Sequence, residues 1–341
     1  MEINTLDPER IMQLEQADFK SRHYHFFLAV RILFTSVLVA LVFYYVKLED
    51  VIQVLSGANL WIILPIIALR LSFYIVRGLK IWQILRLGVG STIPLLSTIG
   101  WFSVSCCIGV FTPGGIGDFS LAYFTKRFNI GISEGIASVF LDKLINVFIM
   151  TLIAVMGAIL YFRFNPSALI ICSSAAIVLV WLASHLGFDR LSIVRSFREK
   201  YRQFLPGFRV LTEFFWGHPW AFLLNVLLAL VQSFVVALQV WFSLLLVHSH
   251  VHFAGVFWLS GISRLANGIP FTVSGLGVYE ASIVYLMKIL GSPAEYTLAG
   301  ILVTRSMTWI MSAFVICWVL WSRRSSTCTT DHLKTLGKMP L

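Results

Sequence analysis

Phe111-Thr112-Pro113-Gly114-Gly115-Ile116-Gly117-Asp118 places helix breakers and a carboxylate directly after nineteen mostly apolar residues, Ile93 to Phe111. In lipid every backbone N–H and C=O must be satisfied, so non-helical backbone at depth survives only where protein or a water-filled cavity surrounds it. The sequence repeats the device. Phe271-Thr272-Val273-Ser274-Gly275-Leu276-Gly277 keeps Phe, Thr, Gly and Gly at a constant offset of 160 residues, and Gly131 and Gly291 share that offset. Paired Gly/Pro-interrupted apolar segments in corresponding halves of a chain point to a transporter's binding site, here between two broken hairpins.

The surrounding composition sets the class. With 58% hydrophobic and 12% charged residues and a mean hydropathy of +0.85, 341 residues have too little polar surface for a soluble globule. An all-α polytopic membrane protein follows, with about six spanning helices plus two Gly-rich broken or re-entrant hairpins. The net charge of +10 does not argue for nucleic acid, because Lys and Arg gather at segment ends, where positive-inside bias and anionic headgroups explain them. The five Cys have no CxxC spacing, so neither a disulfide framework nor a zinc site is expected.

Residues 1–25 read as a polar cytoplasmic segment, 26–322 as one transmembrane domain and 323–341 as a cytoplasmic tail. Within the domain, apolar spans are expected at about 26–46, 60–76, 134–162, 167–186, 219–247 and 293–321. Lys47, Glu49 and Asp50 end the first. The second leaves the membrane through Arg77-Gly-Leu-Lys80-Ile-Trp82, read as an interfacial girdle. Ser133 is the expected N-cap of the Glu134 helix, and Ser292-Pro293-Ala-Glu295 reads as a capping box. His248, His250 and His252 read as a wet loop rather than a metal site, and no cofactor is expected.

Arginine density in 189–218 gives the strongest positive-inside signal, so that stretch is placed in the cytoplasm. Counting spans from it puts both termini in the cytoplasm and makes the two hairpins enter from opposite faces, an inverted-topology repeat.

Arg77-x-x-Lys80-x-Trp82, the Thr112–Asp118 turn, Asp142-Lys143, Pro270 with Ser274-Gly275-Leu276-Gly277-Val278-Tyr279-Glu280, and Arg305 together resemble the lysylphosphatidylglycerol synthase transmembrane family, the flippase-like domain. The likeness covers about residues 26–322 and rests mainly on the two Gly-rich turns. Pro270 is displaced from the family's second turn, Ser274 stands for a Gly, and Asp142-Lys143 stands for a common Glu-Arg pair. The resemblance implies a multi-pass protein of a bacterial or archaeal inner membrane that moves a lipid across the bilayer. It does not imply synthesis of an aminoacyl lipid.

The expected function is translocation of an anionic phospholipid or a lipid-linked envelope intermediate. The alternative is a membrane enzyme or scaffold of envelope-lipid synthesis, against which stands the lack of HExxH, GxSxG or DxD constellations. Expected partners are the lipid substrate and the bilayer, with a partner enzyme and a homo-oligomer left open. Arg70, Arg264 and Arg305 are charges at depth, which need a partner or a wet cavity; Asp118, Asp142 and Glu280 are the carboxylates expected to pair with them. Thr112, Gly114, Gly115 and Gly117 of the first turn, Asn267, Ser274, Gly275 and Gly277 around the second, and Lys143 complete the expected substrate-binding set.

Overall fold

Leu60–Gly88, Ile132–Phe162, Pro219–Leu246 and Ala294–Cys317 are helical, long and apolar enough to cross a membrane, and Leu95–Phe111 and Phe253–Ala266 are shorter apolar helices. The computed structural model describes residues 36, 40, 44, 46–162, 210, 213–267 and 276–336, with backbone alone at 48, 113–116, 267 and 318–336. No strand occurs among the described residues, as expected where lipid forces backbone groups to satisfy one another within a helix. The expected spans at 26–46 and 167–186, most of the basic stretch 189–218, and residues 271–275 of the second turn lie outside the described residues.

Among the described residues the α-helices are, in chain order, α1 Leu48–Ser56, α2 Ile63–Gln83, α3 Leu95–Phe111, α4 Leu121–Thr125, α5 Ile132–Phe162, α6 Pro219–Leu246, α7 Phe253–Asn267, α8 Val278–Ile289 and α9 Ala294–Leu336. The sequence reading has no counterpart for α1. It starts just after Lys47, carries Glu49 and Asp50 in its first turn and buries Val51 against α9, so the charges open a short amphipathic helix.

Three helix ends differ from expectation. At the α5 start the Gly131 N–H donates to Glu134 Oε2 at 3.0 Å, so the carboxylate does the capping and Ser133 already lies inside the helix. At the start of α9, Ser292 Oγ is engaged by Ser249 Oγ (2.7 Å) and Thr297 Oγ1 (2.8 Å) instead of a reciprocal bond with Glu295. The far end of α9 runs on as helix to Leu336 and does not stop at Arg323-Arg324, because interfacial arginines end a hydrophobic span without ending a helix. The start of α6 agrees with the reading, with Pro219 in the first turn, where its missing N–H costs nothing.

Two antiparallel pairs form the frame. In the first, Lys80 of α2 meets Gln232 of α6, and Gln83 meets Asn225. Nearer the start of α2, Arg70 shares a cavity with Gln239. In the second, α5 crosses α7 at small residues: a Cβ on Gly157 would lie 3.0 Å from Trp258 C, and one on Gly261 3.0 Å from Ala154 N. Backbones approach this closely in membranes only where side chains are absent. α9 then packs on α6, where a Cβ on Gly300 would reach Ser243 C at 2.9 Å.

Each hairpin is anchored at its mouth by a tryptophan. Trp82 Nε1 donates to Ile93 O at 3.1 Å, just before α3, and Trp241 Nε1 donates to Val251 O at 2.9 Å, just before α7. In the first hairpin, α3 has 17 residues, about 26 Å at 1.5 Å per residue, short of a ~30 Å hydrocarbon core. Its return runs through a 3-10 segment, Pro113–Ser120, then α4 and a 3-10 turn at Lys126–Phe128. Phe124 stacks on Trp101 with centroids 4.8 Å apart and Arg127 lies over the same ring, so the return arm descends alongside α3 to the end from which α3 started. The second hairpin is α7 and α8, which pack on each other and close at Leu290 against Gly255. Because α2 and α6 are antiparallel and Asn59 N bonds Leu246 O at 2.9 Å, the end of α6 lies at the start of α2. The second hairpin therefore opens at the start of α2, and the first opens at its end.

Candidate functional site

A cluster of charge lies inside the bundle, built around α2. Arg77 and Lys80 stand three residues apart, on one helical face. The Arg77 guanidinium reaches Asp118 Oδ2 at 3.0 Å through Nη2 and Asp142 Oδ2 at 3.5 Å through Nε, and its Nη1 donates to Cys106 Sγ at 3.3 Å. Lys80 Nζ lies 2.7 Å from Asp142 Oδ1, an ion pair set off the hydrogen-bond axis. The same ammonium donates to Asn146 Oδ1 at 2.9 Å and Gln232 Oε1 at 3.3 Å. Lys143, the neighbour of Asp142, turns the other way and pairs with Asp118 Oδ2 at 3.0 Å. Lys80 and Asp142 are fully buried (0% exposed), so each charge depends entirely on these partners.

Hairpin one delivers Asp118 to this cluster through its glycines. A Cβ on Gly109 would sit 2.6 Å from Asp118 Oδ1, and one on Gly117 would sit 2.7 Å from Gly109 Cα, so both residues leave room for the fold-back. Gly117 has no positive φ; it is there for close approach. Thr112 Oγ1 accepts the Gly117 N–H at 2.8 Å and donates to Gly109 O at 3.3 Å, tying the tip.

Across the bundle lies a cavity of about 200 Å³, lined by α2, α3, α6, α8 and α9. Arg70 and Arg305 face it with Gln239, Tyr279, Thr304 and Thr308, and Trp309, which is partly exposed on the bundle surface, stands at its edge. Glu280 organises this side. Its Oε2 accepts the Gly277 N–H at 2.8 Å, capping α8, and its Oε1 is 2.5 Å from Arg305 Nε. Gly277 has φ +85°, a conformation glycine adopts without steric cost. Arg70 lies over Phe73 and Tyr74 at 5.0 and 5.2 Å, and its buried Nε has no hydrogen-bond partner among the described residues. Val110, two residues before Thr112, and Tyr279, two after Gly277, both line the cavity, so the approaches to the two turns converge there.

The expected site residues thus fall into two groups. Asp118, Asp142 and Lys143 belong to the α2 cluster; Arg70, Glu280 and Arg305 belong to the cavity. The expected pairing of three arginines with three carboxylates holds only for Arg305 with Glu280. Asp118 and Asp142 pair with Arg77, Lys80 and Lys143, which stand on adjoining elements, whereas Arg70 is on the cavity side. Arg264, in the last turn of α7, is within electrostatic range of Tyr279, Arg77 and Lys80, between the two groups. Thr112 and Gly117 shape the tip, and Gly114 and Gly115 lie in the 3-10 segment. Asn267 ends α7, and Ser274 and Gly275 lie outside the described residues.

Arg77 and Lys80 are the main correction. They are not an interfacial girdle: the span continues to Gly88, with Lys80 completely enclosed. A basic residue reads as the end of a span only while its carboxylate partners, 41 and 65 residues away for Arg77, are unknown. The available signal was that both cations, three residues apart, share one helix face within an apolar segment; the structure adds that Gly78 between them lets α3 approach, since a Cβ there would lie 2.8 Å from Ile99 Cα.

A model of the lysylphosphatidylglycerol synthase TM region matches residues 28–316. No curated protein matches the chain.

Proposed function

The chain belongs to the lysylphosphatidylglycerol synthase TM region family and is an integral, multi-pass membrane protein of lipid metabolism or transport, and we propose that it translocates lipids with anionic headgroups across the cytoplasmic membrane. One observation carries the reading: Arg70 and Arg305, with Thr304, Thr308 and Gln239, face one cavity at the convergence of the two hairpins. A guanidinium offers a phosphate two parallel N–H donors, and a phosphate satisfies a cation held inside the bundle. The cavity is smaller than the ~300–1,000 Å³ of a pocket that encloses a whole drug-sized ligand. That suits a headgroup whose acyl chains remain in the bilayer, leaving beside Trp309.

Alternating access comes with this reading. The two hairpins open at opposite ends of the bundle, and Trp82 and Trp241, 159 residues apart in the chain, make the same indole-to-carbonyl bond at each mouth, which supports an inverted repeat. Glu280 is the resting partner of Arg305, and a phosphate entering beside Arg70 takes its place. The two access states then differ in their contacts, as a ligand-driven shift requires. Arg264, Asn267, Ser274 and Gly275 belong to the same path on the second-hairpin side, and Asp118, Asp142 and Lys143 hold the first hairpin in position. The basic composition of 189–218 supports a cytoplasmic position for both termini.

Proteoliposomes containing fluorescent phosphatidylglycerol or phosphatidylcholine test the proposal. The anionic lipid should cross faster, and Arg70→Gln and Arg305→Gln should each slow it. Equal rates for both lipids, or unchanged phosphatidylglycerol transport in both variants, would reduce the arginines to a packing role.

A further inference from the structure

We propose that Lys80 is a proton-binding site that couples lipid movement to a proton gradient, a role separate from the headgroup cavity but resting on the translocator reading above. Lys80 is fully buried, and its two directed hydrogen bonds go to neutral amide oxygens, Asn146 Oδ1 on α5 and Gln232 Oε1 on α6. A neutral amine has two N–H donors, so both bonds survive loss of a proton. Only the charge contact with Asp142 Oδ1, at 2.7 Å, is lost.

Asp142 is not stranded by that loss. Its second oxygen is 3.5 Å from Arg77 Nε, and arginine keeps its charge under all physiological conditions. The carboxylate therefore has one cation that can titrate and one that cannot. Among the described residues, the other charged or titratable groups around Lys80 are Arg77 on its own helix, Asp118 in the first hairpin, Lys143 beside Asp142, Cys106 on α3 and Arg264 on α7; α6 contributes the amides of Asn225 and Gln232. In the step itself an N–H bond of the ammonium breaks, the electron pair stays on nitrogen, and the proton passes to water that reaches Lys80 only in an access state other than this one, in which the amine is enclosed. Arg77 then serves Asp142 alone.

That transfer moves the first hairpin. Arg77 also holds Asp118 at 3.0 Å, and Asp118 sits at the tip of the fold-back between Gly109 and Gly117. Drawing Arg77 toward Asp142 loosens its hold on Asp118 and leaves the tip to Lys143. Protonation of Lys80 restores the shared bridge. One proton taken up and released at Lys80 thus alternates the hold on the hairpin that borders the headgroup cavity at Val110.

Two measurements test this on the full-length protein. Fluorescent phosphatidylglycerol transport is followed in proteoliposomes with a pH gradient of either sign and with none. Separately, pyranine reports protons exchanged when phosphatidylglycerol micelles are added to purified protein in weakly buffered detergent solution. The wild type should move lipid faster with one sign of gradient and should take up or release protons on lipid addition. Lys80→Arg, which keeps the charge but cannot give it up, should lose both responses, and Lys80→Met serves where the arginine variant does not insert. A wild type whose transport ignores the gradient, or a Lys80→Arg protein that responds as the wild type does, overturns the proposal. So does the absence of any proton exchange in the wild type, whether or not lipid moves. Absence of lipid movement under every gradient, with proton exchange intact, instead removes the translocator reading and leaves the proton site standing.

Discussion

Gly109 and Gly117 meet backbone to backbone where the first hairpin folds over, and the space a Cβ of Gly109 would need is held by the Asp118 carboxylate. Gly109→Ala should therefore push Asp118 away from Arg77, and Gly117→Ala should part the two strands of the tip. Overpacking of this kind costs about 1–3 kcal/mol. Thermal unfolding of purified protein should show a clear loss for both. Gly100→Ala, which meets nothing within 4 Å, should show none.

Arg77 serves two carboxylates, so its loss should exceed the loss of Asp118. Removing one partner of a buried ion pair costs about 3–5 kcal/mol, because the remaining charge stays enclosed. Arg77→Gln is expected to fall in that range. Asp118→Asn should cost less, since Asp142 keeps both Lys80 and Arg77. A double-mutant cycle should show the pair to be non-additive; full additivity would mean that the 3.0 Å contact contributes nothing.

Glu280 combines a cap with a charge partner, and two substitutions separate them. Glu280→Gln keeps an oxygen for the Gly277 N–H and loses only the charge opposite Arg305. Glu280→Ala loses the capping bond as well, a further ~1 kcal/mol. Unfolding midpoints should rank wild type above the glutamine variant and that variant above the alanine one. Equal midpoints for the two variants would remove the capping role.

The hairpins open at opposite ends of the bundle, so single cysteines at Lys126 and His250, both exposed, should react with an impermeant thiol reagent from opposite sides. The assay needs a background in which the native cysteines are replaced by serine. Labelling of both positions in intact cells would contradict the arrangement.

Much of this architecture was legible in the chain because lipid leaves few choices. The spans at Ile132–Phe162 and Pro219–Leu246 were readable from hydropathy, and the hairpins from Gly and Pro where helix was demanded. The site was legible in its residue types and much less in its pairings. Asp142 and Lys143 are adjacent in sequence and were read as a pair, yet successive residues of a helix project about 100° apart, and each found a partner on another element. The roles of Gly109 and Gly78 were equally hidden, since a glycine inside an apolar helix carries no mark of what approaches it. Arg77 and Lys80 were misplaced for the reason that makes them important: only the folded chain brings their carboxylates to them.

Gln232, which accepts from Lys80, is the fourteenth of the 28 residues of α6 and so stands near the middle of that crossing. A charge that appears or disappears beside it does so halfway through the transmembrane voltage. Moving an elementary charge across the whole membrane is worth about 2.3 kcal/mol per 100 mV, so half that distance is worth about 1.2 kcal/mol. On the proton-site proposal above, the protonation state of Lys80 responds to electrical potential as well as to proton concentration, and an energised cell would then bias the bundle toward one of its states even with equal pH on both sides.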